Sequence, residues 1–155
     1  MTVILTAEHL TKSYGGVKVV DDLSVSLKQG EALGVVGPNG AGKTTMLNLL
    51  TGITHADEGK IAFAGHDITR RPPDQRCHAG LGRTYQIPKP FEGMTVFENV
   101  LVGGTYGRGR SEKASHEICA RALHRASLLP QANVLAESLS LLERKRLELA
   151  RALAT

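Results

Sequence analysis

This sequence contains no tryptophan, and aromatic residues make up only 4% of it. Its core must therefore be packed mainly from Leu, Val, Ile and Ala rather than around large rings. No apolar run approaches the roughly 20 residues that a membrane-spanning helix needs. The N-terminal MTVILTAEHL has no basic stretch leading into an apolar one, which excludes the pattern of a secretory signal. Cysteine is scarce: Cys77 and Cys119 stand alone, with no CxxC and no zinc-like spacing, and read as cytosolic thiols. His9, His55, His66, His78, His116 and His124 form no HExxH pattern and read as surface side chains rather than metal ligands. Internal repeats and low-complexity tracts are missing as well.

What is there is ordinary globular composition. The 155 residues, 41% apolar and 22% charged, suffice for one domain with a real core and argue against disorder. The net charge is +4. The excess gathers around Arg70, Arg71, Arg76 and Arg83 and again between Arg121 and Arg146. A basic balance suits a phosphate-bearing ligand or nucleic acid, and equally a solvated face.

Strand-like spacing runs through 3–14 and 17–27, with Gly15-Gly16 as the turn. The short apolar run ALGVV (32–36) predicts a strand buried on both faces, as in a parallel sheet. A helix is expected from Thr44 to Thr51, stopped by Gly52. KIAFAG (60–65) and LGRTYQ (81–86) read as strands, and Pro73 opens a short helix to about His78. From Pro88 the character is helical. Thr95 and Glu98 form a capping box for a helix expected to end near Gly103-Gly104, before a basic, glycine-rich loop. Glu112 to about Ser127 carries Ala114, Ile118, Ala122 and Ala126 on one face, and a last helix follows Ser140.

Residues 37–45, GPNGAGKTT, match the phosphate-binding pattern GxxxxGK[ST] at Gly37, Gly42, Lys43 and Thr44. Gly37, Gly40 and Gly42 permit backbone angles closed to other residues, so successive N–H groups can converge on one anion. Lys43 offers a point charge, and the Thr44 hydroxyl can ligate Mg²⁺. The helix that follows aims the positive end of its dipole, about half a charge, at the same anion. A strand before and a helix after are the context this loop requires, and nucleotide binding is the expectation.

The wider chain resembles ABC-type ATPases, the nucleotide-binding subunits of membrane transporters. The loop, with Asn39, Ala41 and Thr45 inside it, looks like their Walker A motif. Tyr14, in LTKSYGG, matches the aromatic residue that stacks on adenine, and Gln86, in LGRTYQ, the glutamine that contacts Mg²⁺ and the attacking water. Considered as residues alone, these are equally a turn tyrosine and a polar strand end. The run GLGRTYQIPKPFEGMTVFENVLVG (80–103) is most similar to the ATPases of branched-chain amino acid importers and their amide or urea relatives, although lipid exporters share some of its wording. The resemblance implies an α/β P-loop core with an N-terminal antiparallel β region (1–86), an inserted helical subdomain (87–138), and a signature motif with its helix (139–155). It implies Mg-ATP as cofactor, with Thr44 and Gln86 on the metal. It implies a permease docked on 87–138, with Phe91, Met94 and Phe97 as contact candidates, and a second nucleotide-binding subunit meeting Ser140. No nucleic acid is expected, and the location implied is the cytoplasmic face of the membrane.

In the family the signature reads Leu-Ser-Gly-Gly-Gln or Leu-Ser-Tyr-Gly-Gln; here it is Leu139-Ser140-Leu141-Leu142-Glu143. Leu142 stands where glycine allows close approach to phosphate, and Glu143 places a carboxylate near an anion. Ser140 and Glu143 also make a capping box, so a plain capped helix is the alternative. The family's Walker B aspartate, catalytic glutamate and switch histidine, and the core strands that carry them, have no counterpart here. The resemblance therefore implies the N-terminal part of a longer protein, able to bind Mg-ATP but not to turn it over alone. A non-transport ABC-type ATPase acting on nucleic acid is the rival reading, and a P-loop kinase a more distant one.

Overall fold

The computed structural model describes residues 2–155. They form two compact units, one running to Arg76 and the other from Cys77 to Thr155.

The first unit is built on a hairpin. β1 (Val3–Tyr14) and β2 (Val17–Lys28) pair antiparallel around Gly15-Gly16, with Tyr14 opposite Val17. β3 (Glu58–Phe63) adds antiparallel to β1, and the two-residue β4 (His66–Asp67) to β3, for a sheet order β2-β1-β3-β4. Ala7, Leu10, Val20 and Ile61 are buried from the sheet, and Met46, Leu49 and Leu50 from α1 (Lys43–Thr51). Their spacing places these three on one side of a helix. Gly52, at φ 80°, ends α1 as expected. α2 is the short helix Pro73–His78.

Two expected strands do not form. Residues 31–40 are exposed throughout, with Val36 94% accessible, and 81–86 are irregular. A parallel strand is held by ladder bonds from neighbours distant in sequence. Among the described residues every paired strand is antiparallel, and none pairs with 32–36 or 81–86. Apolar composition alone cannot supply that ladder.

The second unit is helical. α3 (Val96–Arg108), α4 (Glu112–Arg125) and α5 (Leu141–Ala154) enclose a core of Val96, Val100, Cys119, Ala122, Leu123, Leu128, Leu139, Leu147 and Ala150. α3 does not stop at Gly103-Gly104, and its last residues include part of the expected loop. A Cβ on Gly103 would lie 2.7 Å from the Arg151 carbonyl of α5; one on Gly104 would lie 2.9 Å from Cys119 Sγ of α4. These glycines let three helices approach closely, and the stop comes at Gly109, φ 63°. No helix among the described residues is long and apolar enough to cross a membrane.

Candidate nucleotide-binding site

Gly40 and Gly42 both sit in the left-handed region, at φ 83° and 82°, and turn the loop into the start of α1. Gly42 is the N-cap and offers no side-chain oxygen. The N–H groups of Lys43, Thr44 and Thr45 find no acceptor among the described residues. These are the orphan donors of a helix start, concentrated where the dipole is positive. Gly42 is also sterically required, since a Cβ there would stand 2.7 Å from the Val19 carbonyl of β2.

Lys43 folds back over its own loop. Its Nζ donates to the carbonyls of Gly37 at 2.7 Å and Pro38 at 2.6 Å. An ammonium has three protons, so two bonds locate the charge and one proton remains for an anion. The Thr44 side chain is exposed and its hydroxyl has no partner among the described residues. Gly37, Pro38, Asn39, Gly40 and Ala41 are likewise exposed. The donor set (clustered N–H groups, one ammonium, one hydroxyl) fits a polyphosphate with a hard cation. No group of three His, Cys, Asp or Glu side chains is placed for a metal among the described residues. Mg²⁺ here would take its oxygens from Thr44, the phosphates and water.

Tyr14 ends β1 and is 48% exposed, with Lys12 Nζ 5.5 Å above its ring. Tyr14 pairs with Val17, and Val19, two residues further along β2, abuts Gly42. The hairpin end and the loop are therefore neighbours. An open groove of about 630 Å³ in the same unit, lined by Lys60, Asp67, Arg70, Arg71 and Gln75, includes no loop residue.

Gln86 and Ser140 belong to the second unit. Gln86 is exposed on irregular chain. Ser140 caps α5: its N–H and hydroxyl both donate to Glu143 Oε2, at 2.9 and 2.7 Å, and the Glu143 N–H returns to Ser140 Oγ at 3.4 Å. The Ser140 hydroxyl and backbone bonds hold the Glu143 carboxyl below its ordinary pKa, so the helix start carries an ionised carboxylate. Leu141 and Leu142 point outward, 66% and 60% exposed.

The segment before α3 is pinned from two sides. The buried Asn99 amide accepts from Phe91 N–H at 2.8 Å and donates to the carbonyls of Phe91 and Thr95. From α5, Glu148 accepts from Lys89 N–H at 3.1 Å, and Arg151 donates to Lys89 O at 2.9 Å with its guanidinium 4.9 Å from the Phe91 ring. Phe91 and Met94 stay exposed, whereas Phe97 packs on the helical core and meets His116 edge-on. These positioning contacts have no local sequence signal, because their partners lie up to 62 residues away.

A glycine-turned helix start with free amides and a lysine held across it defines a P-loop nucleotide-binding protein. The family model for ABC transporters matches residues 20–155, and the chain belongs to that family. Members of the family bind Mg-ATP. The chain is 40% identical over 120 residues to the protein of Archaeoglobus fulgidus named Probable branched-chain amino acid transport ATP-binding protein LivG, a match covering 77% of this chain and 46% of that protein. It is 37% identical over 151 residues to the lipopolysaccharide export system ATP-binding protein LptB of Haemophilus influenzae, covering 97% of this chain and 63% of that one. The crystal structure of MJ1267, an ATP-binding cassette of an ABC transporter in its ADP conformation, superposes with a TM-score of 0.84 at 33% identity. That match covers 99% of this chain and 65% of the cassette. The chain thus spans about half to two thirds of the length of these relatives.

Proposed function

We propose that this chain is the ATP-binding portion of an ABC transporter, holding Mg-ATP at residues 37–45. The single observation that carries the reading is the uncapped start of α1, with Lys43 held across it by Gly37 and Pro38. When bound, Mg-ATP supplies the phosphoanhydride whose cleavage powers transport. The free amides of Lys43, Thr44 and Thr45 would orient the phosphates, Lys43 would offset their charge and the Thr44 hydroxyl would hold the metal. Tyr14 would stack on the adenine, and Gln86 would be the residue to contact the metal and the attacking water. Titration with Mg-ATP and with Mg-triphosphate tests this; no measurable affinity for either overturns it.

The transported solute in this proposal is a branched-chain amino acid or a related amide, taken inward. Its support is the likeness to the LivG protein of Methanocaldococcus jannaschii, 43% identical over 100 residues. Lipid export is the second reading, favoured by LptB proteins that align over 97% of this chain. Labelled leucine uptake and surface lipopolysaccharide, compared in cells with and without the gene, separate the two.

The proposed partners are a permease and a second nucleotide-binding subunit, at the inner face of the membrane. Phe91 and Met94, exposed on the pinned segment, are the docking contacts, whereas the packing of Phe97 favours a sealing role. Normal assembly with the permease after Phe91→Asp and Met94→Asp would refute this docking. Ser140 meets the nucleotide of the second subunit, with Glu143 weakening that contact.

A further inference from the structure

The bulkiest fully buried side chain is an arginine: Arg76 is 1% exposed. Burying a guanidinium is costly unless its charge is balanced. None of the ion pairs among the described residues includes Arg76. Its partners are backbone carbonyls. Nη1 donates to Leu49 O at 2.7 Å and Leu50 O at 2.8 Å, Nη2 to Thr69 O at 3.0 Å, and Nε to Arg71 O at 2.8 Å. Leu49 and Leu50 belong to the last turn of α1, where the helix dipole is negative; Leu49 O also accepts the capping Gly52 N–H at 3.3 Å.

We propose that Arg76 is a positioning residue for the phosphate-binding loop, acting through the opposite end of α1; this rests on the nucleotide-binding reading. The helix is nine residues long, about 13 Å at the usual rise, and moves as one body. Its start rests against the Val19 carbonyl through Gly42. Its end is bolted by Arg76 to the strap Thr69–Arg71. That strap is tied to β3, because Ile61 N–H donates to Thr69 Oγ1 at 2.9 Å and the Thr69 hydroxyl donates to Ile61 O at 3.3 Å. Gly52 leaves room for the bolt: a Cβ there would stand 2.8 Å from Arg76 Nε and 3.0 Å from Arg71 O. Without the guanidinium, α1 can tilt about Gly42 and the amides of Lys43, Thr44 and Thr45 diverge.

The test compares wild type, Arg76→Lys and Gly52→Ala with Leu10→Val, a core change on β1 away from the bolt. Each is followed by thermal melting, by Mg-ATP titration, and by amide chemical shifts of 42–45 without nucleotide. A lysine cannot span four carbonyls, and an alanine at 52 crowds the guanidinium without deleting it, while also straining the helix stop at φ 80°. The expected result is a Kd for Mg-ATP raised about five- to tenfold in both, with shifted loop amides in the free protein. Leu10→Val is expected to lower the melting temperature with Kd and loop amides unchanged. Folded Arg76→Lys and Gly52→Ala proteins with wild-type Kd and loop shifts would overturn the inference alone, as would an equal loss of affinity in Leu10→Val. Should Arg76→Lys not fold, Gly52→Ala decides. A wild type without Mg-ATP affinity would overturn the nucleotide reading, and this inference with it.

Discussion

Gly103 of α3 faces the backbone carbonyl of Arg151 on α5 so closely that a single added methyl would lie 2.7 Å from that oxygen. The contact sets how near the two helices run. Gly103→Ala is expected to push them apart and destabilise the helical unit by about 1–3 kcal/mol. Gly109→Ala, at the helix stop with open space around it, strains only its own backbone. Chemical denaturation of both variants checks the prediction; an unchanged midpoint for Gly103→Ala refutes it.

Lys43→Ala removes the one ammonium held across the loop. Loss of a charge-assisted contact of about 1.5–3 kcal/mol corresponds to roughly 10- to 100-fold weaker Mg-ATP binding. The melting temperature should change little, because Lys43 bonds only to its own exposed loop. Calorimetric titration alongside a thermal melt distinguishes loss of binding from loss of fold.

Tyr14→Ala should weaken ATP roughly 5- to 150-fold, the equivalent of about 1–3 kcal/mol per stacked base, while inorganic triphosphate affinity stays at the wild-type value. Equal losses for both ligands would place the effect in the hairpin end rather than in adenine stacking.

Two capping boxes carry a common pH signature. The Glu98 carboxyl is held low by the Thr95 backbone N–H first and its hydroxyl second, and Glu143 by the Ser140 hydroxyl and then its backbone N–H. Depressed carboxylates stabilise the fold above their unfolded pKa, near the ordinary 4.5, and that stabilisation is lost as pH falls through the lower folded value. The helical unit should hold its stability from neutral pH down to about 5 and lose it below. A Glu98→Gln, Glu143→Gln double variant keeps cap geometry without titrating, so its acid loss should be smaller. Thermal melts across pH compare the two.

Glu143→Gln has a second use. It removes the negative charge at the start of α5 and restores the neutral side chain that ABC signatures carry. ATP-dependent pairing of two copies, followed by sedimentation, should strengthen in Glu143→Gln and weaken in Ser140→Ala. Pairing indifferent to both would assign Ser140 to capping alone.

The features legible in the residues are those whose bonds close within a few positions. The Gly15-Gly16 hairpin, the Gly52 stop and the Thr95–Glu98 and Ser140–Glu143 boxes all formed where spacing predicted. The loop 37–45 is likewise local, since its glycine angles and the Lys43 contacts span six residues or fewer. Tertiary structure decided the rest. Residues 32–36 and 81–86 read as strands, but a strand exists only with ladder partners, and those come from positions distant in sequence. Gly103-Gly104 reads as a helix stop until neighbouring helices occupy the space a side chain would need. Arg76 reads as one more cation on a basic face, and only the fold turns it inward, because four carbonyls from Leu49 to Arg71 converge on a single guanidinium. The sequence alone determined where the glycine-rich loop turns into a helix; the packing of distant segments determined how that helix is held.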